Sequence, residues 1–383
     1  MQAAVARNTQ ALVQRNIAAG AVHMSKQPTP AAVVFSPCVR LVAWIKLHTL
    51  SIEDLYTGRT LSQPLLSSAM QNAICWSPDS SCCLLHCKNG VWAANPVFRG
   101  LTKVHSSSST TNKCFWAPSA QIVAIVHICT PGSVLSLFRM PSRELLMEIS
   151  ERSCLRIFDE RPYPSHVAWA ANSRTLAMVG YKHIGLLDTT TQRLLKVPLP
   201  STAHSLTAWS PCSWGGTNVL CFVCVHSVVH FTDCDATVKG RCTDPILGQD
   251  ARHLLWGEPG VIIRTSRSLW LFHVHRRNGG LELEPRHTFV HYGLCRPVLS
   301  PDQTHLCMAT LSTDYSTESW LRNSRCSIII LNVVSECRVL LRLPELVSGI
   351  PCCTFTCNGF SLAVSMTNNR DQDHLYMMLG FAR

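Results

Sequence analysis

The stretch AICWSPDSSCCLL, residues 73–85, sets a tryptophan in front of Ser-Pro-Asp-Ser and flanks both with short apolar runs. Each part has hairpin chemistry. Trp76 can cover a core at the end of one strand, Pro78 presets φ for a turn, and Asp79 or Ser80 can bond its own backbone. One such hairpin defines no fold. A repeated one does, so self-similarity along the chain is the property to look for first.

The phrase recurs in degraded form. It appears as VVFSPCVRLVAWI (33–45), KCFWAPSAQIVAIV (113–126), HVAWAANSRTLAMVG (166–180), LTAWSPCSWGGTNVLCFV (206–223) and HLLWGEPGVIIRT (253–265). Weaker copies are RPVLSPDQTHLCMAT (296–310) and CCTFTCNGFSLAVS (352–365). The anchor is Phe35, Trp76, Trp116, Trp169, Trp209, Trp256, Leu299 and Phe355, at spacings of 40 to 56 residues.

A second signal follows at a regular offset. In LSIEDLYTGRTL (50–61) and IGLLDTTTQRLL (184–195), Asp54 and Asp188 each lie nineteen residues after their anchor. LSLFRMPSRELL (135–146) and SIIILNVVSECRVL (327–340) fill the same slot with Arg139 and Asn332, the latter after an insertion around 311–326. Each unit is therefore expected to hold four strands. Such a unit cannot bury both faces alone, so neighbours must stack, and radial closure leaves only short edges. The expected fold is all-β, a single β-propeller over 29–383, with eight four-stranded units and seven blades as the alternative. HLYMMLGFAR (374–383) reads as a third strand without a fourth, which residues near 19–26 are placed to supply.

Composition bounds the function. Of 383 residues, 46% are hydrophobic and 15% charged, which supports a sizeable core. Twenty cysteines fall mostly inside apolar runs, where Cys acts as a small buried hydrophobe, so reduced thiols are expected rather than a disulfide framework. No apolar run approaches the ~20 residues of a membrane-spanning helix. Residues 1–28 form an N-terminal extension, helical, disordered or a presequence. It carries Arg7, Arg15 and Lys26, and the first acidic residue of the chain is Glu53.

No constellation of catalytic, cofactor-binding or metal-ligating residues emerges. Phosphate-cradling glycine loops are absent. Cys221 and Cys224 have zinc-knuckle spacing, but three residues apart on a strand they point to opposite faces. Cys82, Cys83, His86 and Cys87, like Cys352, Cys353 and Cys357, lack a second pair at finger spacing. His273 and His275 share a strand face beside a turn, RRNGG. The 23 carboxylates are scattered, and no enzyme, cofactor or metal is expected.

Binding chemistry is more legible. The net charge of +11 favours acidic or phosphate-bearing partners, yet no basic block suits a nucleic-acid arm. The connections between second and third strands carry Lys46 and His48, Lys88, Lys182 and His183, Arg264 and Arg267, and Arg322 and Arg325. These define a basic rim suited to acidic or phosphorylated segments of other proteins. The Ser-rich loop VHSSSSTTNK (104–113) separates the second and third units.

The W-S-P-D-S and F-S-P turns, with the Asp54–Gly58 turn, resemble the WD-repeat superfamily over about residues 30–383. There is no Trp-Asp dipeptide and no regular Gly-His pair, so the repeat is degenerate. The resemblance implies a His–Asp network that Asp54 and Asp188 would join. Within the superfamily, order and spacing are most similar to the centrosomal and spindle-pole WD-repeat family encoded antisense to p73, and next to the aladin-type nucleoporins. It implies a scaffold in a multi-protein assembly, at the centrosome and cytoskeleton of the cytoplasm, anchoring microtubule minus ends. The nuclear envelope, as a pore scaffold, and the mitochondrion, as an assembly factor, are the alternative sites.

Overall fold

A computed structural model of the protein describes residues 21–23, 33–38, 40–46, 48–54, 57–65, 69–96, 100–106, 111–128, 133–150, 152–153, 166–180, 183–198, 203–209, 218–224, 229–233, 238–242, 251–257, 260–265, 268–277, 280–290, 297–300, 303–312, 325–333, 338–346, 352–355, 361–367 and 374–380. These residues lie almost wholly in strands, arranged as eight four-stranded sheets. The fold is all-β, as the repeat requires.

The sheets gather into two compact units. One spans Ser67–Phe289; the other combines Met1–Leu66 with Val290–Arg383. In the first unit, the second sheet holds Ala69–Trp76, Cys83–Cys87, Gly90–Ala94 and Leu101–Ser106, and the third Thr111–Trp116, Ile122–Ile128, Ser133–Arg139 and Glu144–Ser150. The fourth holds His166–Trp169, Thr175–Val179, His183–Asp188 and Arg193–Pro198. The fifth runs from Ala203–Trp209 to Val238–Cys242, and the sixth from Ala251–Gly257 to Gly280–Val290. Strands follow one another in chain order within each sheet.

In the other unit, the first sheet runs from Val33–Phe35 to Arg59–Pro64 and the seventh from Val298–Leu299 to Arg338–Leu346. The eighth breaks chain order. Its first three strands are Cys352–Phe355, Ser361–Thr367 and His374–Gly380, and its fourth is Ala21–His23, antiparallel to His374–Gly380 with Val22 opposite Tyr376. The fourth strand of this sheet thus comes from within residues 19–26, the segment expected to supply it.

The opening hairpin explains itself locally. Ser77 N donates to Cys82 O at 2.8 Å, Ser80 N donates to Ser77 O at 2.9 Å, and Ser80 takes φ 62°. Ala117–Ala120, Ala170–Ser173 and Ser300–Gln303 repeat that closure, with φ of 59°, 58° and 58° at the last residue. Serine earns its place before proline because Ser36, Ser77 and Ser300 are buried, and each Oγ accepts the amide five residues on, at 3.1, 3.0 and 2.9 Å. A buried hydroxyl requires such a partner.

The core lies between successive sheets. Second strands are buried throughout in Cys83–Cys87, Thr175–Val179 and Gly260–Thr265. Burial on both faces is why they read as continuous apolar runs rather than alternating ones. Ala124, Val126, Leu135 and Leu137 of the third sheet meet Val167, Leu176 and Met178 of the fourth. Val179, Ile184 and Leu186 of the fourth meet Trp209, Leu220 and Phe222 of the fifth.

The repeated tryptophan has a second role that Phe could not fill. Trp116 Nε1 donates to Cys75 O at 3.4 Å, Trp169 Nε1 to Phe115 O at 2.9 Å, and Trp209 Nε1 to Ala168 O at 2.9 Å. Each acceptor stands one residue before the anchor of the preceding sheet. At these three anchors the indole covers its own hairpin and ties it to its neighbour.

Candidate functional site

The turn ends of the second and third sheets enclose a groove of about 620 Å³, within the range of roughly 300–1,000 Å³ typical of ligand sites. Its first wall is the turn after Trp76. Ser77 Oγ donates to Asp79 Oδ1 at 2.6 Å, and Asp79 Oδ1 also receives Ser81 N at 3.0 Å. Burial raises the Asp79 pKa, but the hydrogen bonds from Ser77 and Ser81 outweigh it and leave the carboxyl below its ordinary value. Asp79 is a satisfied structural anion.

The facing wall comes from two turns of the third sheet. Met140 N donates to Gln121 O at 2.8 Å, joining the turn after Trp116 to the turn at 140–143. Arg143 N donates to Arg139 O at 2.8 Å while Arg143 holds φ 63°, which sets its exposed side chain at the groove. Arg139 pairs instead with Glu144. Among the described residues the Arg143 guanidinium has no side-chain partner in the structure. Ala93, Cys82, Trp116 and Met140 supply apolar lining. Burial, then the charge of Asp79, pushes the Cys82 thiol up to about 11, so it lines the groove as a neutral group.

Groove and expected rim occupy opposite strand ends. In a meander, the turns joining strands one to two and three to four share an end, and the second-to-third connection lies at the other. Lys88 sits in such a connection and is exposed. Arg264 does not fit the rim: it lies inside Gly260–Thr265, paired opposite Leu269 and 6% exposed. The sequence reading placed it in the loop by ending the strand too early. Lys46 and Arg325 have backbones at strand ends, and their side chains lie outside the described residues, as do Lys182, Arg267 and Arg322. The Ser-rich segment is mostly strand, residues 101–106 and 111–116, with 107–110 outside the described residues.

At the slot where the resemblance implies a His–Asp network, the described partners of Asp54 and Asp188 include arginine. Asp54 Oδ2 accepts Arg40 Nε at 2.9 Å and Nη2 at 2.7 Å. Asp188 pairs with Arg174 at 3.4 Å. Both arginines stand five residues after an anchor, which brings them beside the Asp turn. In the seventh sheet Asn332 Nδ2 meets His305 Nε2 at 3.3 Å in the equivalent place.

Two groupings look chemical but are built otherwise. His127 Nε2 and Ser136 Oγ lie 3.0 Å apart, like a nucleophile and its base, yet they are 2% and 0% exposed and closed to a substrate. His273 Nδ1 is 3.1 Å from His275 Nε2, which meets Glu284 Oε2 at 2.7 Å on an exposed face. Among the described residues no cluster of three or more His, Cys, Asp or Glu side chains is arranged to hold a metal ion. Cys75, Cys83, Cys114 and Cys353 are thiols raised by burial or neighbouring sulfur, Cys75 to about 12, as befits small core residues. No described helix is long and apolar enough to cross a membrane.

Eight four-stranded sheets of this kind suit a β-propeller, and comparison with solved structures shows that fold. The WD40 domain of SCAP from fission yeast matches with a TM-score of 0.57 at 11% identity, covering 94% of this chain and 97% of its own. The β-propeller domain of Cps50 (Swd1) from Myceliophteria thermophila matches at 0.51 and 12% identity, covering 94% and 99%. The dihydro-heme d1 dehydrogenase NirN in complex with DHE matches at 0.54 and 12% identity, covering 83% and 67%. No family model and no curated protein sequence matches the chain. At these identities the likeness is one of fold, and it supports neither the centrosomal nor the nucleoporin resemblance.

Proposed function

We propose that this chain is a non-catalytic interaction scaffold that presents turn surfaces of stitched β-sheets to other proteins. The observation that carries the reading is the groove between the second and third sheets, with an apolar floor, a hydrogen-bonded carboxylate and a cation that has no side-chain partner among the described residues. Such a set binds without making or breaking bonds. WD40 neighbours of the same fold support the reading at the level of class.

The resemblance of the turn motifs is the support for a cellular place. On that resemblance the scaffold works at the centrosome or spindle pole, anchoring microtubule minus ends, with partners that contribute acidic or phosphorylated segments. Endogenous tagging with imaging and affinity purification tests both parts. Spindle-pole signal with co-purifying centrosomal proteins supports the placement. Signal at the nuclear rim or in mitochondria replaces it with a pore scaffold or an assembly factor, and the absence of any specific co-purifying protein overturns the scaffold.

A further inference from the structure

We infer that the groove between the second and third sheets is a peptide-docking site. Its occupant is an extended partner segment carrying an aspartate or glutamate close to a large apolar residue. The inference rests on the scaffold reading and adds the chemistry of what the scaffold grips.

Charge decides the polarity of the occupant. Of the groove's two oppositely charged side chains, Asp79 is saturated: Ser77 Oγ, Ser81 N and Ser81 Oγ all donate to it. A cation would have to share that carboxylate with these donors. Arg143 is exposed and lacks a side-chain partner among the described residues, because the neighbouring carboxylate Glu144 is held by Arg139. A carboxylate entering the groove meets an unspent fork of donors at Arg143, while the charge of Asp79 is already hydrogen-bonded by Ser77 and Ser81.

Shape and lining decide the rest. Asp79, Ser81, Ser119, Gln121, Pro141 and Arg143 are all solvent-exposed, so the groove is open along the turn face rather than closed like an internal cavity. Trp116 and Met140 line the same groove as Arg143 with an aromatic and a thioether, a pairing that takes a flat or branched apolar side chain. The walls are fixed before binding. Trp116 is tied to Cys75 O, and the two third-sheet turns are tied through Met140 N and Gln121 O. Preorganised walls lower the ordering cost that otherwise weakens short peptides.

The test pans a displayed random nonapeptide library against the full chain, then measures resynthesised peptides by fluorescence anisotropy. The expected result is enrichment of Asp or Glu within two positions of Leu, Met or Phe. Affinity falls at least tenfold in R143E and by a lesser factor in R143Q, each variant confirmed folded by its circular dichroism spectrum and melting curve. A peptide with its acid changed to Lys then binds R143E better than it binds the unmodified protein. No enrichment, enrichment without acidic bias, or equal affinity for the unmodified protein and R143E overturns the site. The scaffold reading is judged separately. If R143E retains every affinity-purified partner, the groove falls and the scaffold stands.

Discussion

Acidification should loosen the contact between the second and third sheets through one buried imidazole. His127 lies on strand Ile122–Ile128, 2% exposed, its ring 4.6 Å from the ring of His105 on the neighbouring sheet. Burial, then the charge of His105, lowers the His127 pKa to about 4, against an opposing pull from Glu148. Burial also lowers His105, opposed by Glu148 and assisted by Lys103. In the unfolded chain each histidine takes its proton near pH 6.5. His127 therefore contributes its full stability above about pH 6.5 and loses it progressively as pH falls toward about 4. At pH 5 the protonated unfolded state leads by about 1.5 pH units, worth about 2 kcal/mol at 1.36 kcal/mol per unit. Solvent reaching the partly open His105 side trims this to between about 1 and 2 kcal/mol. The assay is urea unfolding at pH 7.5 and pH 5 for the unmodified protein and for His127→Gln, which keeps a hydrogen-bond partner for Ser136. The unmodified protein should lose about 1–2 kcal/mol more than the variant on acidification. Equal losses would refute the linkage.

Trp169→Phe keeps an aromatic ring over the hairpin but removes the donor to Phe115 O at 2.9 Å. It should cost about 1 kcal/mol in urea unfolding, and Trp169→Ala about 3–5 kcal/mol. Equal costs would deny the tie. Gly90 holds φ 130° with the backbone oxygen of His105 2.0 Å from where a Cβ would sit, so Gly90→Ala should prevent recovery of folded protein. Gly58 holds φ 66° in open space, and Gly58→Ala should cost only about 1 kcal/mol by thermal melting. Exposed Gln192 sits at φ 57°, and Gln192→Gly should leave stability unchanged or raise it by about 0.5 kcal/mol. A loss above about 1 kcal/mol would mean that its side chain packs.

Local signals carried far because each module closes over few residues. Ser77, Pro78 and the left-handed Ser80 settle their hairpin within six residues, and the same rule holds at Ala117, Ala170 and Ser300. The slot of Asp54 and Asp188 marked the turn between third and fourth strands, but their arginine partners were not part of the expected pattern. Arg40 and Arg174 stood at a fixed offset from the anchors and could have been found by aligning the turns. The groove gave no comparable signal. Its walls draw on residues 79 to 143, and Arg143 matters only because Glu144 turns to Arg139. Arg264 was misplaced because an Arg within a hydrophobic strand reads as a strand end unless its neighbours are known.

Chain chemistry alone dictated an all-β molecule of repeated four-stranded modules, since Ser-Pro turns and apolar runs act over distances shorter than one module. It also foretold that residues near the beginning of the chain would finish the last sheet. Which carbonyl each indole reaches, which charges stay unspent and where a groove opens were settled by packing. The indole ties, for instance, bring a side chain and a backbone carbonyl some forty or more residues apart in sequence to hydrogen-bond distance, a proximity that no local pattern encodes.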